Sequence, residues 1–150
     1  MTTVNDYNDR EMSYQISILE HSADIRLKII ALSKEDLFKG ALEGMARIIG
    51  GWENIKGEEK SIEKQIKVSA PEESALLADF LNEVLALTDI YHAVFPEIEI
   101  KELTEERITG KIKGQRIEEF KEEIKAVTYH GLSIVQNKKG LWEAVILFDI

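Results

Sequence analysis

Tyr14-Gln15-Ile16-Ser17-Ile18-Leu19-Glu20, Asp24-Ile25-Arg26-Leu27-Lys28-Ile29 and Ser33-Lys34-Glu35-Asp36-Leu37-Phe38 decide the fold class. Tyr14, Ile16 and Ile18 alternate with Gln15 and Ser17, the two-residue period of a strand with one buried face. The pattern breaks at Glu20-His21-Ser22-Ala23-Asp24. Apolar residues then return at Ile25, Leu27 and Ile29 against Arg26 and Lys28, a second strand expected to pair with the first because consecutive strands are usually neighbours. Ser33-Lys34-Glu35-Asp36 resembles a capping box with Asp at the third helical position. It precedes apolar residues at Leu37, Phe38, Ala41, Leu42, Met45, Ala46, Ile48 and Ile49, the stripe of an amphipathic helix. Gly50-Gly51 supplies the left-handed-tolerant stop.

Further along, Glu53 to Lys60 reads as a charged loop, and alternation resumes at Ile62, Ile66 and Val68. Pro71 with Glu72 and Glu73 predicts a second helix, with Pro in its first turn and the acids favoured by the helix dipole. Leu76, Leu77, Phe80, Leu81, Val84 and Leu85 form its buried stripe. After Asp89 the chain reads as strand: Val94 to Leu103, interrupted by Pro96, then Arg107 to Lys113, weakened by Gly110. Thr128 to Gln136 and Leu141 to Asp149 flank Asn137-Lys138-Lys139-Gly140, a hairpin signal. Met1 to Arg10 has no periodicity and many turn formers. The expected organisation is a flexible extension over 1–13 and one α+β domain over 14–150, mostly antiparallel sheet with two amphipathic helices packed against it.

Composition narrows the function classes. At 150 residues, 44% hydrophobic and 31% charged with 2 Pro, the chain is long enough to bury about 68–70% of its unfolded surface as one domain. A formal charge of −9 opposes autonomous binding to nucleic acid or an anionic membrane and suits a basic partner. Absence of Cys excludes disulfides, thiolate metal sites and cysteine nucleophiles. No apolar run reaches the length of a membrane span, and the polar start lacks the core of a signal peptide, so the expected address is the cytoplasm. There is no Walker A, dinucleotide fingerprint, nucleophile elbow or zinc helix. Asp6, Asn8 and Asp9 suggest a calcium loop, but Arg10 and the missing glycine count against it.

Two carboxylates stand out. Asp24 lies in the turn between the first two strands, and Asp149 ends the apolar run Ala144-Val145-Ile146-Leu147-Phe148. Asp149 projects with Val145 and Leu147, opposite Trp142, Ala144, Ile146 and Phe148, so both faces of that strand read as partly buried. An ionised Asp there needs a cation or several donors. If the last strand lies beside the first pair, Asp24, Asp149 and the carboxylate of Ile150 converge as hard oxygen ligands, favouring calcium, magnesium or manganese over zinc. The same residues also suit plainer roles, an Asx-turn for Asp24 and a solvated Asp149. His21 serves as turn-orienting group, ligand or backbone partner. Asp79 and Glu83, one turn apart on the second helix, border its apolar stripe. Lys125-Ala126-Val127-Thr128-Tyr129-His130 gathers a cation, two hydroxyls and an imidazole ahead of a strand.

His21-Ser22-Ala23-Asp24, Leu77-Ala78-Asp79-Phe80-Leu81-Asn82-Glu83, Lys125-Ala126-Val127-Thr128-Tyr129-His130 and Phe148-Asp149-Ile150 together resemble the archease family, from about Tyr14 onward. Ser22 stands where that family commonly has Thr, and the hydroxyl is kept. The resemblance implies a non-catalytic accessory of the RtcB-type RNA ligase, which joins RNA ends left by tRNA splicing with GTP and manganese. Such accessories promote guanylylation of the ligase, sustain its turnover and broaden its nucleotide use. It further implies a divalent-metal site, calcium first, at Asp24, Asp149 and Ile150, a functional lysine at Lys125, and His21, Thr128 and His130 nearby. Two other classes compete: a general protein-interaction or chaperone-like module without ligase specificity, and a metal-dependent phosphoesterase, which the lack of a second carboxylate cluster disfavours.

Overall fold

The residues that alternate in the sequence form the two innermost pairs of a sheet. The computed structural model describes residues 13–20, 24–51 and 61–150, and the backbone of 2–7. Its elements are β1 (Thr2–Tyr7), β2 (Tyr14–Glu20), β3 (Asp24–Ala31), α1 (Lys34–Gly50), β4 (Ser61–Ser69), α2 (Glu73–Tyr91), β5 (Ala93–Leu103), β6 (Arg107–Arg116), β7 (Ala126–Thr128), β8 (Val135–Gln136) and β9 (Trp142–Asp149). The larger sheet has the order β1-β2-β3-β9-β7, with β8 also on β9, and the smaller one the order β4-β6-β5. Every pairing described is antiparallel. The fold class is α+β, as the alternation implied.

Register explains the core. Ile18 faces Leu27 and Ile16 faces Ile29 across β2 and β3; Ile25, Leu27 and Ile29 in turn face Phe148, Ile146 and Ala144 across β9. All of these side chains are buried, so rows of apolar residues run across the strands on one face of the sheet. The helices lie against that face, α1 touching β2, β3 and β9 and also β5 of the smaller sheet, while α2 touches β7 and all three strands of the smaller sheet. Phe38 of α1 meets Phe80 of α2 with ring centroids 5.8 Å apart. None of the described helices is long and apolar enough to cross a membrane.

Ser33 caps α1 as its sequence suggests, its Oγ accepting from the Asp36 N–H at 3.1 Å, and Gly51 ends it at φ 72°. Four local expectations are corrected. Pro71 is not in the first turn of α2: Glu72 is the N-cap, at φ −156°, and its carboxylate accepts from the Ala75 N–H at 3.0 Å. A proline ring near −65° cannot take that extended conformation. Pro96 does not interrupt β5, because it sits where the register with β6 shifts between Val94 and Glu97, a bulge that needs no ladder donor. Gly110 does not weaken β6, since a Cβ there would run into the Glu99 backbone. The predicted strand from Thr128 to Gln136 is split into β7 and β8, because Gly131 takes φ 73° and the Leu132 N–H closes a turn onto the Tyr129 carbonyl.

Two further differences concern the ends of the larger sheet. Asp24 is the first residue of β3 rather than a turn residue, and the outward face of β9 is open, Val145 being 47% exposed. Within the proposed extension, the backbone of Thr2–Tyr7 pairs with β2 from Thr2↔Glu20 to Tyr7↔Gln15. That pairing satisfies the β2 edge, which would otherwise present unpaired backbone groups. The loop expected over Glu53 to Lys60, His21-Ser22-Ala23 and the Asn8-Asp9-Arg10 part of the calcium-loop reading lie outside the described residues.

Close packing of α1 on the sheet depends on Gly44. A Cβ there would lie 2.6 Å from Leu27 Cδ2 and 2.7 Å from Cδ1, and Leu27 is fully buried. Alanine would return up to about 1 kcal/mol of helix propensity, but overpacking a filled core costs about 1–3 kcal/mol. Gly44→Ala is therefore expected to lower the chemical-denaturation midpoint while retaining helix content by circular dichroism. An unchanged or higher midpoint would mean that α1 does not need this close approach.

A candidate metal and partner site at the end of the larger sheet

Antiparallel pairing brings the start of β3 to the end of β9. Asp24 is the Cα partner of Asp149, which is in turn the partner of Ala126 on β7. Their neighbours Ile25, Phe148 and Val127 are buried, so by alternation Asp24, Asp149 and Ala126 share the opposite, outward face. Directly opposed residues have Cβ atoms about 4.5–5.5 Å apart, and like charges in that position repel. Asp24↔Asp149 is the one pair of like charges directly opposed in the described sheets. Asp24 is half-buried and Asp149 exposed. Asp24 Oδ1 is buried and has no hydrogen-bond partner among the described residues.

Two acceptor-only carboxylates facing each other, one with an orphaned oxygen, form a donor set that fits a hard divalent cation. No group of three or more His, Cys, Asp or Glu side chains suited to a metal is found among the described residues. Ile150 follows Asp149 directly and packs its side chain on the core. His21 lies outside the described residues.

The second half of the site is the segment around β7. Lys125 is exposed, and its N–H donates to the Asp149 carbonyl at 2.7 Å. Thr128, half-buried, is the partner of Leu147 and lies on the outward face; its Oγ1 accepts from the N–H of exposed His130 at 3.2 Å. The structure thus places Asp24, Asp149 and the Lys125 N–H at one end of the larger sheet, with Thr128 two positions back along β7 and His130 just beyond it. Asp79 is not merely a solvated border, because it accepts a hydrogen bond from the Tyr129 hydroxyl; Glu83 is exposed.

Asn82 is the group that residue patterns did not single out. Its Oδ1 accepts from the Val127 N–H at 2.9 Å, and its Nδ2 donates to the Val127 carbonyl at 3.1 Å. Val127 is buried, and each of its backbone groups left unpaired would cost about 1–3 kcal/mol. The available signal was an amide, poor in helix interiors, inside an otherwise apolar helix stripe.

These residues lie within a recognisable whole. Residues 17–150 match the archease protein family. The chain belongs to that family. It is similar to the archease of Methanosarcina barkeri, 31% identical over 144 residues, covering 91% of this chain and 96% of that protein. The archease of Pyrococcus abyssi is 33% identical over 138 residues, covering 87% and 95%. Among solved structures, that of a Methanobacterium thermoautotrophicum protein superposes with a TM-score of 0.65 at 24% identity, covering 89% of this chain and 96% of that one. A Thermotoga maritima archease, described as a possible chaperone, gives 0.61 at 24% identity, covering 88% and 94%. These two likenesses concern the archease fold.

The Tyr129–Asp79 contact makes a pH prediction. The hydrogen bond to Asp79, then burial, then the Asp79 charge hold the phenol above its usual value. A raised folded-state value means that the contact stabilises fully below about pH 10 and that this stabilisation is lost as pH rises through the raised value. In Asp79→Asn, which keeps an acceptor but removes the charge, the Tyr129 ring is expected to titrate nearer its ordinary value by NMR. Identical titration in both proteins would remove Asp79 as the cause.

Proposed function

We propose that the chain is an accessory activator of an RtcB-type RNA ligase in tRNA splicing, promoting guanylylation of the ligase and its multiple turnover without itself catalysing a reaction. Family membership supports the class of protein. The observation that carries the reading to a site is the opposed Asp24–Asp149 pair, with an Asp24 oxygen that has no partner among the described residues. A divalent cation would be held by Asp24, Asp149 and a main-chain oxygen of Ile150, with His21 beside it. Oxygen ligands suit calcium, and magnesium or manganese fit the same donor class. When bound, the cation neutralises the two carboxylates and offers positive charge to an oxyanion of the partner.

Lys125 has a separate role. Its ammonium is a flexible point charge suited to a phosphate or carboxylate, and Thr128 and His130 add short-range polar contacts beside it. The formal charge of −9 suits a ligase surface lined by basic residues, which would raise the encounter rate and fix orientation. The chain would then reach RNA through its partner rather than bind it alone, and would work in the cytoplasm away from membranes. A second reading, a chaperone-like module without ligase specificity, is favoured by the description of the Thermotoga maritima relative as a possible chaperone.

Three variants test the site. Asp24→Ala, Asp149→Ala and Lys125→Ala are expected to fold and to lose stimulation of ligase guanylylation by at least about tenfold, the loss of about 1.4 kcal/mol of coupling. Full stimulation by all three folded variants would overturn the assignment. Uniform solubilisation of unrelated clients, with no effect on guanylylation, would favour the second reading.

Thermal unfolding separates the roles. Calcium at about 100 times its dissociation constant stabilises a folded binder by about 2.7 kcal/mol, so wild type and Lys125→Ala should show a rise in Tm that both aspartate variants lack. Without calcium the aspartate variants should be at least as stable as wild type, because each removes a like-charge repulsion. A calcium response that survives both aspartate substitutions would place the cation elsewhere.

A further inference from the structure

We infer that Asn82, seconded by Asp79, is a positioning residue: it substitutes for a missing strand beside β7 and thereby sets where Lys125 and Thr128 stand relative to Asp24 and Asp149. The inference rests on the activator reading for its consequence, but its geometric content stands apart from it.

β7 has only three residues, paired with β9 as Ala126↔Asp149, Val127↔Phe148 and Thr128↔Leu147. So short a strand with a sheet neighbour on one side has little of its own to define its register. On the other side of β7 the Asn82 carboxamide makes two bonds to Val127, accepting its N–H at 2.9 Å and donating to its carbonyl at 3.1 Å. A carboxamide carries the donor and acceptor of a peptide group in one plane, so it completes the ladder as a neighbouring strand would. Asp79, three residues earlier on α2, accepts from the Tyr129 hydroxyl. Helix α2 therefore holds the segment at two points, on either side of Thr128.

That hold reaches the proposed site through the backbone. Lys125 N–H donates to the Asp149 carbonyl at 2.7 Å, at the strand end where Asp149 opposes Asp24. A slip of β7 by one residue would turn Val127 outward and Thr128 inward. It would also move Lys125 along the sheet edge by about 3.3 Å per residue, enough to break its bond to Asp149. The carboxamide fixes one register, and neither Asn82 nor Asp79 needs to touch the partner to do so.

The test uses Asn82→Ala, with Asp79→Ala as a second variant at a half-exposed position that does not threaten folding. Amide exchange by NMR is the readout independent of any ligase. Val127 and Lys125 N–H groups are expected to exchange at least tenfold faster in Asn82→Ala, with shift changes running from Ala126 to Asp149 while β6 amides keep their protection. Asp79→Ala should perturb the Tyr129 turn more than Val127. Unchanged protection of Lys125 in Asn82→Ala, or uniform loss of protection across the chain, overturns the inference. In ligase guanylylation, folded Asn82→Ala is expected to lose at least fivefold of the maximal stimulation, while its half-saturating concentration stays within twofold of wild type. A loss that merely follows the unfolded fraction, or a change in half-saturation alone, speaks against positioning. If wild type fails to stimulate the ligase, the activator reading fails, and the exchange data still decide whether Asn82 holds β7.

Discussion

The pairing of β3 with β9 is the constraint on which the rest depends. It joins an early strand to the last one over eight consecutive Cα partners, from Asp24↔Asp149 to Ala31↔Trp142. It makes β9 an interior strand with β3 on one side and β7 and β8 on the other. Ala144, Ile146 and Phe148 are buried as a result. Pairing strands this distant requires closing most of the chain into a loop, a cost met only when the apolar rows are in register. The register that aligns Ile25 with Phe148 also aligns Asp24 with Asp149, so the candidate site is formed by the same event that completes the core.

Helix α1 and helix α2 have different tasks in this frame. Gly44 lets α1 sit close to β3, and Gly50 meets Val94 of the smaller sheet, where a Cβ would lie 3.0 Å from Val94 Cγ1. α1 is thus the filling between the sheets. α2 instead reaches sideways through Asn82 and Asp79 to hold the segment after Lys125. The first contact is shape fitted to shape, and the second is backbone polarity satisfied by a side chain. The core therefore tolerates little volume change near Gly44, whereas the site is tuned by hydrogen bonding near Asn82.

Much of the frame was legible because it is local. Strands β2 and β3 follow from alternation, and α1 from a cap, an apolar stripe and a glycine stop. Legibility failed where tertiary context decides. Pro96 and Gly110 look like strand breakers, but the bulge near Pro96 and the close approach of Glu99 make them suitable. β7 and β8 merged into one expected strand because the turn at Tyr129 to Gly131 has only one glycine to announce it. Within the site, Asp24 and Asp149 were visible as acids at the ends of apolar strands. Their opposition is a property of register, which no local pattern contains. Lys125, Thr128 and His130 were given roles by family resemblance, whereas Asn82, quoted within that resemblance, was given none because its partner lies 45 positions away.

The cross-strand pairs also show where stability yields to something else. On the smaller sheet Glu63 and Glu97 flank Lys113, and Glu99 faces Lys111; Lys113 and Lys111 hold the Glu99 carboxyl below its usual value. Along β3 and β9, Arg26 faces Leu147 and Lys28 faces Val145, so charge there meets apolar surface without repulsion. Only at Asp24↔Asp149 do the described sheets oppose like charges. A sequence shaped for stability alone would place a cation or an apolar residue at one of those positions, since either removes the repulsion without disturbing the backbone. Local rules broken at one point and obeyed elsewhere are the expected mark of a functional site. Asp24 Oδ1, buried with no partner among the described residues, points the same way, because a cation between the two strands would turn both unfavourable features into ligands.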